Sequence, residues 1–242
     1  MLPPKILLLQ VSGLDIETQL QIEEAFLRVS DQNLCLINSS PPPAIVLGIS
    51  SDIDEVLFKE TVISDNLTVI RRFSGGGTVF INDDVIMVSW ICSTETSSLI
   101  NPQELMALTK QLYAKTFPPD FDVRNNDYVI GHKKIGGNAQ YIQKKRWVHH
   151  SSFLWDTNIK LMNRYLKIPP KQPEYRNNRT HEEFLVPLKN FYSQPSVFLE
   201  RLLSDLREHQ TFLSIELEEI ISIINRPHRR STAKIHFNRQ PD

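Results

Sequence analysis

The sequence predicts an α+β fold around a mixed, largely antiparallel β-sheet flanked by helices. Three observations lead there. Short apolar, strand-like runs crowd the middle of the chain, helical periodicities lie to either side of them, and no repeat, low-complexity tract or convincing linker interrupts the pattern. The expectation is one domain over 1–242.

Residues 5–11 (KILLLQV) read as a buried strand. Asp15 is placed to cap a helix in which Ile22, Ala25, Phe26 and Val29 recur at helical spacing. Strands follow at Leu34–Asn38 and Ala44–Ile49, parted by a turn at 39–43, with a helix near Asp52–Glu60 and a strand over 67–73 that runs into three glycines. Thr78–Ile81 and Val85–Cys92, separated by Asn82-Asp83-Asp84, read as a hairpin. Pro102 suits the first turn of a helix reaching about Phe117, which Pro118-Pro119 stops. Residues 127–156 read as short strands with turns at Gly131-His132 and near Lys144-Lys145. A helix is expected near Asn158–Leu166, then a surface loop from Lys167 to Arg179. Helices at Pro195–Glu208 and Ser214–Asn225 and a last strand at Thr232–Phe237 complete the reading.

Composition bounds the function. Of 242 residues 40% are hydrophobic and 23% charged, and 27 basic against 28 acidic side chains leave a formal charge of −1, so bulk charge gives no reason to expect a nucleic-acid partner. The longest apolar runs are too short to span a membrane, and the N-terminus shows no secretory or organelle signal, so a cytoplasmic protein is expected. Cys35 and Cys92 lie in apolar surroundings without metal-like spacing and read as buried, reduced thiols; no metal ligands are assigned.

The sharpest local signal is Arg71-Arg72-Phe73-Ser74-Gly75-Gly76-Gly77, directly after a strand. Consecutive glycines cost conformational entropy and make sense where backbone must approach a ligand closely. Their amides can form a nest for an anion, beside two arginines. The segment lacks the Lys-Ser/Thr of a P-loop and the spaced glycines of a dinucleotide fingerprint. A second signal is Asn126-Asp127 followed by Lys133-Lys134-Ile135-Gly136-Gly137-Asn138-Ala139, where a lysine ahead of a diglycine can sit close to bare amides; a plain hairpin turn explains it equally well. The third is His149-His150 on a strand, whose rings point to opposite faces and cannot easily share one metal.

In order and spacing these motifs resemble the catalytic domain of the lipoate–protein ligase A family, within the superfamily that also holds biotin ligases and octanoyltransferases. The counterparts are Leu20-Gln21-Ile22-Glu23-Glu24-Ala25, Arg71 to Val79, Asn126-Asp127, Lys134 to Ala139 and His149-His150-Ser151-Ser152-Phe153-Leu154, covering roughly residues 15–190. The resemblance implies a biotin/lipoate ligase-like fold and an enzyme that activates lipoate with ATP and Mg²⁺ to lipoyl-AMP, transfers the lipoyl group to a lysine, or both. Acceptors would be lipoyl domains of 2-oxo-acid dehydrogenase E2 subunits or the glycine-cleavage carrier protein. By the same resemblance Lys134 contacts the acyl carbonyl and the α-phosphate, and Arg72 holds the nucleotide. Ser74, Gly75, Gly76, Gly77, Thr78, Val79 and Phe80 line the substrates, and Asn126, Asp127, Gly137, Asn138, Ala139 and His150 complete the site. Docking of the acceptor is expected on a basic patch of Lys133 with Lys144-Lys145-Arg146.

The chain departs from the family where a His-Asp pair gives way to Ile81-Asn82-Asp83-Asp84, and it offers no room for the accessory C-terminal domain of two-domain bacterial ligases, so a separate accessory subunit is one expectation. Pro173–Arg179 stands where ligases carry an adenylate loop; a solvated surface loop is the plainer alternative. Two other functions compete. An octanoyltransferase would need a nucleophilic cysteine, yet Asp122–Asn125 holds none and none follows Cys92. A non-catalytic lipoyl-domain or acyl-adenylate binding protein is the other alternative. The Gly-Arg-Gly-Arg loop of biotin ligases is absent.

Overall fold

The structure is a computed structural model that describes residues 2–94, 101–168 and 172–237. In chain order its elements are β1 (Ile6–Ser12), α1 (Ile16–Val29), β2 (Leu34–Ser39), β3 (Ala44–Leu47), α2 (Ile53–Val56), α3 (Lys59–Ser64), β4 (Thr68–Arg71), β5 (Val79–Ile81) and β6 (Val85–Ser93). The second half holds α4 (Pro102–Tyr113), β7 (Phe121–Arg124), β8 (Asp127–Ile130), β9 (Lys133–Ile142), β10 (Arg146–Leu154), α5 (Ile159–Tyr165), α6 (His181–Phe184), α7 (Pro195–His209), β11 (Phe212–Ile215), α8 (Leu217–Ile224) and β12 (Ala233–Lys234).

Eight strands form one sheet in the order β11-β1-β2-β6-β10-β9-β8-β7, and four form a second, β12-β4-β3-β5. Only β1–β11, β1–β2 and β3–β4 pair in parallel; the other pairings among the described residues are antiparallel, which is the mixed, mainly antiparallel α+β arrangement expected. One face of the large sheet packs an aromatic core, with Trp90, Tyr113, Tyr128, Phe153 and Phe198, under α4 and α7. The other face buries α1 and α8 together with Val46, Ile70 and Ile81 of the small sheet. The small sheet's outer face packs Ile45, Val69 and Phe80 against Leu57, Val62 and Tyr165. These layers leave a gap between the two sheets, and the candidate site occupies it.

Local chemistry accounts for most boundaries. Asp15 accepts from the Thr18 amide at 2.9 Å to start α1. Asn101 and Glu104 close a capping box on α4, with Pro102 in its first turn. Asn125 and Asn126, both with positive φ, form the two-residue turn of the β7–β8 hairpin.

Several sequence expectations are corrected. β5 and β6 are not a hairpin: β5 pairs with β3 in the small sheet, while β6 lies between β2 and β10. Both edges of β6 are taken, by β2 and β10, so none remains for β5, and its residues Val85 to Cys92 are all buried as in an interior strand. The helix expected near Asp52–Glu60 is two short helices, parted where Leu57 bridges to Leu166. Ser214 lies in β11, not in a helix, because this stretch extends the sheet beside β1 before α8 begins. The loop expected over Lys167 to Arg179 lies partly outside the described residues; the described part holds a 3₁₀ turn at Glu174–Arg176 with Arg176 buried. The expected basic patch does not form. Lys133 begins β9 and Lys144-Lys145 follow its end, about 30 Å apart for ten residues of strand. Arg146 is buried and donates to the Gln32 carbonyl at 2.6 Å. No helix among the described residues is long and apolar enough to cross a membrane.

Candidate functional site

A cavity of about 1010 Å³ opens between the sheets. Twelve residues expected from sequence line it: Gly75, Gly76, Gly77, Thr78, Val79, Phe80, Asn126, Asp127, Lys134, Gly137, Asn138 and Ala139. Arg72, Ser74 and His150 do not, and they stand behind the glycine loop.

The position of Lys134 follows from a bulge. β8 pairs Asp127 with Gly137 and Val129 with Lys134, so three residues of β9 span what two span on β8, leaving Ile135 as the extra residue. The bulge puts Lys134 and Gly137 on one face despite their odd spacing, beside Asp127. The Lys134 ammonium meets an Asp127 carboxylate oxygen at 2.7 Å, and Asp127's other oxygen accepts from the Tyr175 hydroxyl at 2.8 Å. A Cβ at Gly137 would lie 3.2 Å from Lys134 Nζ, so glycine makes room for the lysine to lie across the strand. Where β10 ends, the chain after α6 takes over the edge of β9, with the Val186 amide donating to the Lys134 carbonyl at 2.9 Å. Asn138 donates to the Asn126 carbonyl, tying the β7–β8 turn to the same floor.

The glycine loop is held from behind by a continuous polar chain. The buried Arg72 guanidinium donates to the carbonyls of Gly75 (2.6 Å) and Gly77 (2.8 Å) and to Ser74 Oγ (3.1 Å). Ser74 Oγ meets His150 Nε2 at 2.9 Å, and His150 Nδ1 meets Glu23 at 2.7 Å. Glu23, wholly buried on α1, also accepts from Ser89 at 2.5 Å and Gln19 at 3.0 Å. Burial alone would raise the Glu23 pKa, but His150 and these hydrogen bonds bring it below its ordinary value. Burial lowers the Arg72 pKa to about 10, with Glu23 acting the other way. The Arg72 donors are therefore turned onto the loop backbone, whereas the sequence reading had them on a nucleotide. A Ser-His-Glu row of this kind resembles a hydrolytic triad, yet Ser74 is fully buried and already accepts from Arg72, which leaves it no exposed nucleophile.

Gly76 has φ +94, and a Cβ there would lie 2.8 Å from Arg72 Nη2. Its carbonyl in turn crowds Gly48, where an added Cβ would sit 2.1 Å away. Gly75 and Gly77, by contrast, have nothing within 4 Å of an added Cβ. Their bareness faces the cavity, beside Thr78, whose buried hydroxyl has no partner among the described residues. In the same lining, Val79, Ile81, Val85, Leu154, Met162 and Leu166 supply an apolar wall.

Sequence reasoning missed α6 and its His181, which line the cavity. The signal was present: Thr180 and Glu183 form a reciprocal capping box. It also passed over Glu23 as a site-forming residue, and it marked Arg176 only as part of the Pro173–Arg179 loop.

Two predictions arise here. Glu23→Ala should destabilise the fold by about 3–5 kcal/mol, because it strands His150 and leaves Arg72 without a buried counter-charge; Glu23→Gln should cost clearly less. Urea midpoints measure both, and a cost under about 1 kcal/mol for alanine would contradict the account. The second concerns acid. Burial, then the neighbouring His150, holds the His149 pKa at about 3; burial, then Arg176 and Lys134, holds that of His181 at about 4. The folded state thus favours neutral rings, while the unfolded chain takes up protons below about pH 6.5. Their stabilisation is complete above pH 6.5 and is lost as pH falls towards 3–4, amounting to about 2 kcal/mol each at pH 5. Urea titrations at pH 7.5 and 5 should show the loss, and His149→Gln should show less of it.

These motifs and this fold define a known class: the chain belongs to the lipoyl protein ligase A/B catalytic-domain family, whose model matches residues 15–203. An inactive lipoate–protein ligase 2 of Plasmodium falciparum is 32% identical over 218 residues, which cover 74% of this chain and 56% of that protein. Among solved structures, lipoate–protein ligase A bound with ATP is 17% identical, with a TM-score of 0.73 over 92% of this chain and 93% of that one. A bipartite lipoate–protein ligase from Thermoplasma acidophilum, described with its E2 lipoyl domain, is 18% identical, with a TM-score of 0.74 over 93% and 91% of the two chains. Both structural likenesses are likenesses of fold. The chain spans about half the length of the curated relatives it matches.

Proposed function

We propose that this chain carries a lipoyl-type acyl group, as its adenylate, to a lysine of an acceptor lipoyl domain. The observation that carries the reading is the placement of Lys134: an ammonium held by Asp127 in a cavity lined also by bare glycine and by an apolar wall. Open backbone at Gly75 and Gly77, the Thr78 hydroxyl, unpartnered among the described residues, and one lysine suit a phosphate, and the apolar wall suits an aliphatic chain. Lys134 would stabilise charge first on the α-phosphate and then on the carbonyl oxygen attacked by the acceptor amine. Gly75, Gly77, Thr78, Asn126 and Asn138 would position the nucleotide end, and Val79 and Phe80 the acyl end.

Magnesium would accompany ATP and neutralise its phosphates. Among the described residues no three His, Cys, Asp or Glu side chains gather into a metal-holding group, and both Asp127 oxygens are engaged by Lys134 and Tyr175. The side chains present therefore do not form a metal site of their own, and no step here is assigned to the ion. The ATP-bound and bipartite relatives support ATP as donor and a lipoyl domain as acceptor, and the bipartite one supports a separate accessory chain. The relative named inactive supports a second reading, a binding protein that retains the cavity without turnover.

The test is intact-mass analysis of a purified apo lipoyl domain, with lipoate and Mg-ATP in one tube and premade lipoyl-AMP in another. A lipoyl mass gain in both makes the chain a self-sufficient ligase. A gain with lipoyl-AMP alone makes it a transferase that needs an activation partner. Absence of gain in either removes the proposed activity.

A further inference from the structure

We propose that His181 is the general base of the transfer step, its Nε2 taking the proton that the acceptor amine sheds on becoming an amide. The inference rests on the transfer reading above. It supplies a function that the Lys134 ammonium cannot, since an ammonium stabilises negative charge but has no lone pair for a proton.

His181 opens α6, and the chain beyond it is fixed against the lysine. The Leu185 amide donates to the His181 carbonyl at 2.9 Å, and Leu185 itself bridges to Lys134 on β9. The ring is 8% exposed and lines the cavity. Its Nδ1 lies 2.8 Å from Asn163 Oδ1 on α5. An amide oxygen only accepts, so Nδ1 carries the proton and Nε2 keeps its lone pair. Among the described residues nothing hydrogen-bonds Nε2, which leaves that lone pair for what enters the cavity.

The acidic groups of the lining are worse placed. Asp127 has both oxygens engaged, by Lys134 and Tyr175, and Asp52, Glu55 and Glu174 are exposed. The charges that bear on the His181 ring besides its own burial are Arg176 and Lys134, and together they keep it neutral at pH 7. Of the other charged groups on α5 and α6, Arg164 is paired with Asp65, Glu183 caps Thr180, and Lys160 and Glu182 are exposed. An adenylate would bring a negative phosphate to Lys134, offset part of that repulsion, and make Nε2 more basic once the acyl group is in place. In the step, the neutral acceptor amine attacks the acyl carbonyl carbon and the C–N bond forms. The bond to the AMP oxygen breaks, its electron pair leaving on AMP. The nitrogen, positive after attack, gives one proton to Nε2, and the imidazolium returns it to water as AMP departs.

The test is single-turnover transfer from premade lipoyl-AMP to an apo lipoyl domain, using the full chain at pH 7. His181→Ala should slow transfer about a hundredfold while lipoyl-AMP still raises the thermal midpoint as it does in the wild type. Added imidazole should restore part of the rate, and more basic methylimidazoles should restore more, which replacing a merely structural histidine would not allow. If H181A fails to fold, Asn163→Asp decides alone. A carboxylate on Nδ1 makes the ring more basic, so the rise of the pH–rate profile should move about one unit to higher pH. A wild type that transfers, with H181A within about threefold of it or unmoved by any imidazole, overturns the base and leaves the ligase reading standing. So does an N163D profile that stays in place. A wild type that transfers from neither lipoyl-AMP nor lipoate with Mg-ATP removes the ligase reading, and this step with it.

Discussion

Lys134→Met should slow acyl transfer from lipoyl-AMP by at least about a hundredfold while leaving the fold intact, because removing one preorganised charge-stabilising donor costs about 10²–10³ in rate. The lysine is partly exposed, with 23% of its side chain accessible, and its partner Asp127 keeps the Tyr175 hydroxyl. The stability cost should accordingly be within about 1 kcal/mol. Lys134→Arg should not restore the rate, because the space over Gly137 is fitted to an ammonium 3.2 Å from where a Cβ would stand. Gly137→Ala tests the same geometry from below: it pushes the ammonium by a few tenths of an ångström and should slow transfer about tenfold. Single-turnover transfer to an apo lipoyl domain measures all three. A Lys134→Met variant with unchanged rate would remove the lysine from the chemistry.

Gly76→Ala should destabilise the protein by about 3 kcal/mol, through backbone strain at φ +94 together with collision against Arg72 Nη2 and the Ala139 Cβ. Gly75→Ala should cost no more than about 0.5 kcal/mol, since an added Cβ there meets open space, yet it should weaken binding of lipoyl-AMP about tenfold by filling the surface a ligand needs. The contrast separates two jobs within one glycine run. Gly76 is required by the turn, whereas Gly75 and Gly77 leave open space at the cavity that the proposed ligand would fill. Equal stability losses at Gly75 and Gly76 would show a purely structural loop, and unchanged binding in the Gly75 variant would show that the open surface is not used.

The contrast also marks how far sequence reasoning reached. That the glycine run after β4 lines a cavity was readable from Arg71–Gly77, because consecutive glycines after a strand have few other uses. That Arg72 faces inward was not. An arginine's direction depends on what lies behind it, here the nearby Ser74 backed by His150 and Glu23 from two distant parts of the chain. Asp15 and Pro102 announced their helices through local chemistry, and α6 carried the same kind of signal unread at Thr180 and Glu183. The β5–β6 crossover was hidden for a different reason. A two-sheet path and a hairpin share the same turn residues, and what decides between them is the pairing of both β6 edges with β2 and β10, which are distant in sequence. The bulge at Ile135 likewise has no signature in Lys133–Gly137 alone, since it exists only in register with β8. Arg176 sat in a polar, proline-bounded stretch that reads as surface, and its burial comes from Phe184, eight positions further on.

The central claim is that Lys134 and the bare glycine loop face one ligand, an acyl adenylate. A crystal structure with a hydrolysis-resistant sulfamoyl analogue of lipoyl-AMP tests it most directly. The account predicts the sulfamoyl group within hydrogen-bonding distance of Lys134 Nζ, the acyl chain along Val79, Val85 and Leu154, and the glycine loop unmoved on its Arg72 support. An analogue bound elsewhere, or seated in the cavity without touching Lys134, would contradict it.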